Sequence, residues 1–180
     1  MPHSYIAFDP AATVNGETLQ AVHRVLHIPQ DARRLLKQYG LPSQPVRGQW
    51  YPLQGWLNLL GELETGYGEQ TVYAVGLQIA ECSVWPDTIG TLEQALYALD
   101  EACQANVDSS PMGYYRTQAL APRTMRVVCY TPTPTNFECG LITGVARKFK
   151  PVGSIRVRVE PEETPTDSPA LLKWFRVSWT

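Results

Sequence analysis

The fold is decided by residues 114–149, YYRTQALAPRTMRVVCYTPTPTNFECGLITGVARKF, where the spacing of the apolar residues changes along the chain. Residues 112–120 and 123–131 alternate between apolar and polar side chains, which predicts two strands joined by a turn at Pro122. The stretch TPTPTN disfavours a helix, because its prolines lack backbone donors. Asn136 is a good helix N-cap, and the residues after it predict a helix.

Two further strands are predicted after this stretch. Residues 154–160, SIRVRVE, alternate so that Ile155, Val157 and Val159 point inward, and residues 171–180 form the last strand. The segment between them, PEETPTDSP, is rich in proline and polar residues and predicts an exposed loop.

Helices are predicted before the strands. Apolar residues recur at helical spacing in residues 16–27, 29–39, 52–65 and 91–107. Thr91 is an N-cap for the last of these, which is the strongest helix prediction in the chain. Residues 69–82 fit a helix, with a strand as the alternative because Thr71, Val72 and Val75 are β-branched. The order predicts an α+β fold, with N-terminal helices packed on a four-stranded antiparallel sheet of β-β-α-β-β order.

Composition limits the class of protein. The 180 residues carry 15 Lys and Arg against 17 Asp and Glu, a net charge of −2, so nucleic acid is not an expected partner. No apolar run approaches the ~18 residues of a membrane span, and no secretory signal is evident, so a cytoplasmic protein with no membrane partner is expected. We expect a single domain over residues 1–180, with a helical extension at 1–49 and a core at 50–180.

The sequence contains no recognisable catalytic or metal-binding motif. His23 and His27 are four residues apart, a spacing that can hold a metal ion on a helix, but no third ligand stands beside them. Gly-x-Ser-x-Gly and glycine-rich phosphate motifs are absent, and the four cysteines form no Cys-x-x-Cys pair. A non-catalytic protein without a metal site, with its cysteines reduced, is therefore expected.

Aromatic residues are the remaining candidates for function. The chain has five Trp and nine Tyr. Such side chains either fill the core or line a ligand pocket together with a few hydroxyl groups, and the sequence is compatible with both interpretations.

The run from Tyr115 to Phe149, above all CGLITGVARKF, resembles the haem-nitric-oxide/oxygen-binding domains and the related 4-vinyl reductase ligand-binding domains. The segments YPLQGWLNLLGELETGYGEQTVYAVG and LEQALYALDEACQANV are similar to that superfamily in order and spacing, so the resemblance covers residues 50–179. It implies a scaffold for small-molecule sensing or carriage that commonly forms dimers.

The resemblance also implies where a haem would be held. It places Cys103 at the position of the proximal histidine, and residues 129–133 at the motif that grips the haem propionates. The cation of that motif is missing, because no Arg or Lys lies between Arg126 and Arg147. The sequence therefore predicts a divergent member without the haem-ligating motifs and without a cofactor, with haem or another tetrapyrrole as the alternative.

The function expected from the sequence is that of a non-catalytic sensor or carrier of an apolar small molecule. The predicted pocket lies between the 91–107 helix and the sheet, with ligand contacts from Trp56, Cys103, Tyr114, Tyr130 and Thr131. Two alternatives are a scaffold protein that acts through a protein partner or a homodimer, and an enzyme or binder acting on a tetrapyrrole.

Overall fold

The structure is a computed structural model that describes residues 5–83, 85–108 and 111–180. Its elements are β1 (Thr13–Asn15), α1 (Gly16–Val25), α2 (Pro29–Gln38), β2 (Trp50–Pro52), α3 (Leu53–Glu62), which continues as a π-turn (Leu63–Tyr67), α4 (Glu69–Cys82), α5 (Leu92–Tyr97), α6 (Leu99–Gln104), β3 (Val107–Asp108), β4 (Tyr114–Ala121), β5 (Thr124–Tyr130), α7 (Thr135–Lys148), β6 (Val157–Glu162) and β7 (Leu172–Trp179). None of the helices among these residues is long and apolar enough to cross a membrane.

The larger sheet confirms the predicted α+β fold. Its four strands are antiparallel and lie in the order β4-β5-β7-β6. Met125, Val127 and Cys129 alternate along β5 and are buried on the inner face. Arg123, in the turn between β4 and β5, has a left-handed φ of 57°, as hairpin turns often require.

The edge strand β6 is displaced from its predicted position. It begins at Val157, so Ile155 is 88% exposed instead of pointing inward. It ends at Glu162 and includes Pro161, which the sequence placed in a loop. A proline is tolerated there because β6 has a neighbouring strand on one side alone.

Helix α7 lies between the inner face of this sheet and α4, and glycines let the two helices approach closely. A methyl group added at Gly140 would overlap the carbonyl oxygen of Tyr73, and one at Gly76 would overlap that of Phe137. The helix begins at Thr135 with Pro134 in the N-cap position and no side-chain cap, so the predicted cap by Asn136 is wrong.

The predicted 91–107 helix is divided at Ala98. Thr91 caps its start, since its hydroxyl accepts from the Gln94 N–H and the Gln94 side chain accepts from the Thr91 N–H. Thr117 on β4 then donates its hydroxyl to the carbonyl of Leu96 at 2.7 Å. That contact lies beside Ala98, and α6 starts after it at Leu99. Residues 69–82 form a helix, α4, as the preferred interpretation predicted.

A second sheet of three short strands, in the order β2-β1-β3, is absent from the sequence prediction. It pairs Val14 with Tyr51 on one side and with Val107 on the other. Strands of two or three residues give too short an alternation to be recognised. The buried apolar side chains from Ala7 to Trp179 form one hydrophobic cluster, in which Trp56 and Phe175 are the largest fully buried members.

Candidate functional site

A cleft opens between α1, α4 and the α5–α6 pair. Its outer chamber has a volume of about 310 Å³, at the low end of the ~300–1,000 Å³ typical of small-molecule sites. Alanines line its walls, Ala21 on α1 and Ala98, Ala102 and Ala105 on and beside α6. These small side chains do not fill the space between the helices, and the chamber is the result.

A second, apolar cavity of about 60 Å³, here called the inner recess, adjoins the chamber. Trp56 and Phe137 form its wall and meet edge to face, with their ring centroids 6.1 Å apart. Cys103 and Leu141 also line it. Chamber and recess share the lining residues Thr18, Ile79, Ser83, Trp85, Ala102 and Asn106.

Polar groups are concentrated at the outer chamber. Arg24 and Glu17 come from α1, Arg47 from the loop after α2, and Glu101 from α6. Arg47 Nε lies 3.1 Å from Glu17 Oε2, and the Arg47 side chain is 66% exposed. This chamber therefore offers both guanidinium and carboxylate groups to the polar end of a ligand. In the shared wall, the indole Nε1–H of Trp85 is buried and has no hydrogen-bond partner within the described residues.

A buried polar cluster adjoins the recess, and Glu138 on α7 is its centre. The Glu138 carboxylate is 0% exposed and accepts hydrogen bonds from the Tyr115 hydroxyl at 2.9 and 3.1 Å. The hydroxyl of Thr131 donates to it at 2.7 Å, and that of Thr133 donates as well. Lys173 Nζ in turn donates to the Thr131 carbonyl at 2.8 Å and hydroxyl at 3.0 Å. The cluster ties α7 to three strand regions.

Burial dominates the protonation of this region. It raises the pKa of the Cys103 thiol, and the nearby Glu138 carboxylate raises it further. It also raises the pKa of the Tyr115 hydroxyl and lowers that of the Lys173 ammonium. Cys103 is therefore a neutral thiol at physiological pH.

The predicted ligand contacts fall in three places. Trp56 and Cys103 lie together in the inner recess. Thr131 is buried in the cluster around Glu138. Tyr114 and Tyr130 stack on each other, with ring centroids 5.5 Å apart, on the outer face of the sheet, away from the cleft. Their roles in ligand binding remain predictions.

The predicted pocket position also needs correction. The cleft is lined by α1, α4 and α6 and by no residue of the four-stranded sheet, whereas the prediction put it between the 91–107 helix and that sheet. His23 Nε2 lies 3.0 Å from the Ser43 carbonyl. The described parts of the chain contain no group of three His, Cys, Asp or Glu side chains that could hold a metal ion. Cys103, Cys129 and Cys139 are free thiols, and the side chain of Cys82 lies outside the described part.

Three residues of the site, Glu138, Trp85 and Arg47, are absent from the predicted ligand contacts. Glu138 carried a signal, because it is a lone carboxylate within the apolar helix segment NFECGLITG. Trp85 was one of the aromatic candidates for a pocket, whereas Arg47 carried no signal; both stand in irregular segments where no period relates them to the helices of the cleft. Their positions follow from the packing of distant segments.

Comparison with known proteins identifies the fold. No protein-family profile matches the sequence. No curated protein matches it either. Solved structures with the same fold exist at low identity. The H-NOX protein from S. oneidensis in the Fe(II)NO ligation state is 12% identical over 92% of this chain and 99% of that one, with a TM-score of 0.69.

Two further structures show the same likeness. An oxygen-binding H-NOX domain related to soluble guanylate cyclases, solved as the oxygen complex, is 13% identical, covers 91% of this chain and 92% of its own, and has a TM-score of 0.64. A structure from work on haem redox potential and porphyrin distortion is 14% identical, with coverages of 91% and 96% and a TM-score of 0.63. The protein thus has an α+β fold with a ligand-sized cleft. More specifically, it has an H-NOX-like fold, while the resemblance to 4-vinyl reductase domains remains a prediction.

The prediction that the protein takes no cofactor is contradicted by the fold. Structures that share this fold were solved in studies of haem and of oxygen binding. That prediction rested on the lack of a cation between Arg126 and Arg147. The structure instead brings Arg24 and Arg47 to the outer chamber from segments far away in the sequence.

Proposed function

We propose that this protein is a small-molecule sensor or carrier domain whose ligand binds in the cleft between α1, α4 and α6. The cleft itself carries the proposal, since a chamber of about 310 Å³ and an apolar recess lie side by side in it and share six lining residues. The lining is mostly apolar and includes a few polar groups, as is usual for small-molecule sites. The ligand class is an apolar ring system with a polar edge, tetrapyrroles included.

The residues of the cleft fit a tetrapyrrole acid. Arg47 and Arg24 would pair with its carboxylates, and Arg47 would exchange its contact with Glu17 for one of them. The Cys103 sulfur is the atom of the recess suited to an iron, because thiolates ligate haem. Cys103 would have to lose its proton first, since burial and Glu138 raise its pKa. A bound haem supplies an iron that takes a diatomic gas.

Titration with hemin and protoporphyrin IX tests the proposal. Saturable binding to the wild-type protein is expected as a shift of the porphyrin absorption band. Ala102→Trp fills the junction of chamber and recess, so we expect it to weaken binding about tenfold or more, or ~1.4 kcal/mol. Ala121→Trp, at an exposed position of β4, is the matched control and should bind as the wild type does.

Two results would contradict the proposal. The first is that neither porphyrin binds the folded protein. The second is that both porphyrins bind Ala102→Trp and the wild type with equal affinity. Circular dichroism of both variants establishes that each is folded before the affinities are compared.

The outer face of the sheet favours a second candidate, an assembly protein. It carries the stacked rings of Phe8, Tyr130 and Tyr114, with the Arg116 guanidinium 4.6 Å from the Tyr114 ring. Tyr, Trp and Arg are the residues that dominate binding energy at protein interfaces. The charged residues of this face are mostly cationic. It carries four arginines and two glutamates, namely Arg116, Arg126, Arg158, Arg176, Glu160 and Glu162.

The positive charge of this face indicates which kind of protein would bind to it. Two copies joined through it by a two-fold axis would oppose arginine to arginine, so the expected partner is a different protein with an acidic surface. Light scattering of the wild type at rising concentration tests this. A dimer that Tyr130→Ser and Arg116→Glu both dissociate would contradict it. Support requires a purified acidic partner whose binding weakens in Arg116→Glu and persists in Ala102→Trp.

A further inference from the structure

Charge is unevenly distributed along the chain. Residues 111–137 and 139–159 contain no Asp or Glu, yet they hold eight of the 15 Lys and Arg residues, namely Arg116, Arg123, Arg126, Arg147, Lys148, Lys150, Arg156 and Arg158. The rest of the chain carries the other seven cations and all 17 carboxylates. A protein of net charge −2 therefore has a cationic region, built from β4, β5, α7 and the start of β6.

The loop between α7 and β6, residues 150–156, lies at one end of this region and is called here the basic loop. Residues 151–154 form a tight turn, because the N–H of the last donates to the carbonyl of the first at 3.0 Å and Gly153 has a left-handed φ of 86°. Val152 stands at a corner of this turn and is fully exposed, and Ile155 is 88% exposed. The loop thus holds two aliphatic side chains out in solvent.

Cations lie beside these two side chains. Lys150 Nζ donates to the Ile155 carbonyl at 3.2 Å. The main chain of Arg156 exchanges two hydrogen bonds with Thr180, and the Arg123 carbonyl accepts from the N–H of the preceding residue at 3.1 Å. The β4–β5 turn that contains Arg123 therefore lies at the same end of the sheet as the basic loop, and all three cationic side chains are exposed.

The charges of these three cations are available to an external anion. Two neighbouring cations are engaged: Lys148 donates to two carbonyls at the end of α4, and Arg158 forms an ion pair with a glutamate of its own strand at 3.3 Å. In the part of the chain that the structure describes, no carboxylate lies within ion-pair distance of Lys150, Arg156 or Arg123.

This combination of side chains fits a lipid surface. Turn corners usually carry Gly, Pro, Asn, Asp or Ser, so an aliphatic residue there is unusual. An anionic bilayer meets both features, because its headgroups attract cations and its acyl boundary takes up apolar side chains. A protein interface instead buries about 800 Å² on each partner around aromatic and arginine anchors, whereas Val152 protrudes from a turn and neither exposed apolar residue is aromatic.

We propose that the basic loop docks the protein on an anionic phospholipid membrane. Val152 and Ile155 enter the boundary between headgroups and acyl chains. Lys150, Arg156 and Arg123 contact the lipid phosphates. The inference does not depend on the ligand of the cleft. The expectation of no membrane partner rested on the lack of a run long enough to span a bilayer, and docking on its surface requires none.

Co-sedimentation of the full chain with lipid vesicles tests the proposal. Vesicles of phosphatidylglycerol and phosphatidylcholine in equal parts should bind the protein, and vesicles of phosphatidylcholine alone should bind it far more weakly. Because the Debye length falls from ~10 Å at about 0.1 M salt to ~3 Å at about 1 M, binding should weaken strongly over that range.

The charged residues are tested by reversal. Lys150→Glu with Arg156→Glu should weaken binding to the anionic vesicles about 30-fold or more, since each lost cation near such a surface accounts for about fivefold. Arg33→Glu with Lys37→Glu, at exposed positions of α2, is the matched control. It has the same net charge and should bind nearly as the wild type does.

The apolar residues are tested without a change of charge. Val152→Ser with Ile155→Ser should weaken binding about tenfold, because less apolar surface is buried in the membrane. Ile6→Ser with Ile28→Ser makes a corresponding exchange at positions that are 65% and 57% exposed elsewhere on the protein, and it should leave binding unchanged. Circular dichroism establishes that all four variants are folded.

Several results would overturn the inference. The wild type shows no preference for anionic vesicles, the control pairs weaken binding as much as the loop pairs, or the serine pair in the loop binds as the wild type does. A loop that is indifferent to vesicles but required for binding a purified acidic protein would be a protein-docking surface instead. The porphyrin titration with Ala102→Trp judges the cleft separately, since none of the substituted loop residues lines it.

Discussion

Glu138 shows how one residue joins the ligand cleft to the sheet. Its carboxylate is fully buried, yet three hydroxyl groups donate to it, and the Lys173 ammonium lies one hydrogen bond away through Thr131. Tyr115 links this cluster to Cys103, which lines the recess. A buried charge persists only where such partners compensate its desolvation.

Removing this charge should destabilise the protein. Glu138→Gln keeps the shape of the side chain and leaves the half-buried Lys173 without a compensating carboxylate, so we expect a loss of about 2–4 kcal/mol in the free energy of unfolding. Urea denaturation measures it. Adding Lys173→Met to Glu138→Gln should restore part of the loss. The exposed Glu163→Gln is the control, and a loss of similar size there would refute this account of Glu138.

The raised pKa of the Cys103 thiol predicts slow chemical modification. Because burial and Glu138 disfavour the thiolate, Cys103 should react with iodoacetamide only at pH values well above the ordinary thiol pKa of about 8.5. Mass spectrometry of the labelled peptides follows each cysteine across the pH range. Rapid labelling of Cys103 in the folded protein at pH 7 would show that its thiol is not protected as described.

At the scale of elements, close packing of α4 against α7 holds the helical layer on the sheet. Gly140→Ala places a methyl group against the Tyr73 carbonyl, so the helices must separate. We expect a loss of stability of about 1–3 kcal/mol or more, despite the better helix propensity of alanine. Thermal unfolding compares it with Gly90→Ala, where a methyl group would meet nothing within 4 Å. Equal melting temperatures for the two variants would contradict the close approach.

Glu162 links the edge strand β6 to the central strands β5 and β7. Hydrogen bonds from Arg126 at 2.7 Å and Arg176 at 2.7 Å lower its pKa. A lowered carboxyl pKa contributes stability above the ordinary pKa of about 4.3, and the contribution is lost as pH falls through the folded-state value. The stability difference between wild type and Glu162→Gln should therefore be present at pH 6 and shrink in acid. A difference that does not depend on pH would contradict this.

Elements that show a local pattern of apolar residues could be predicted from the sequence. The alternation along β5 and the apolar pattern of α7 lie within a few residues each, so both elements could be predicted. The division of the 91–107 helix at Ala98 could not, and neither could the contact beside it between Thr117 and the Leu96 carbonyl, 21 residues apart in sequence. Tertiary contacts of this kind leave no periodic trace.

For the molecule as a whole, the cleft is the feature that sequence reasoning located least well. Cys103 and Trp56 were found through the resemblance and the aromatic count, whereas Arg47 and Trp85 stand in irregular segments that only the fold brings to the cleft. The cleft also depends on what is small, since Ala21 and Ala102 define it by leaving space. A cavity that results from small side chains on different helices has no sequence pattern by which it could be predicted.

Occupation of the cleft should stabilise the whole fold. A ligand at about 100 times its Kd adds ~2.7 kcal/mol to the free energy of unfolding, which corresponds to a rise of about 5–10 °C in Tm for a chain of this size. Differential scanning calorimetry with saturating protoporphyrin IX measures the rise. Ala102→Trp should show little or none, and an equal rise in that variant would place the binding outside the cleft.

The most direct measurement is a crystal structure of the protein in complex with protoporphyrin IX. The account predicts the porphyrin ring between α1, α4 and α6, against Ala102 and Trp85, with carboxylates at Arg47 and Arg24. A porphyrin bound elsewhere on the protein, with the cleft between Ala21 and Ala102 left empty, would contradict it.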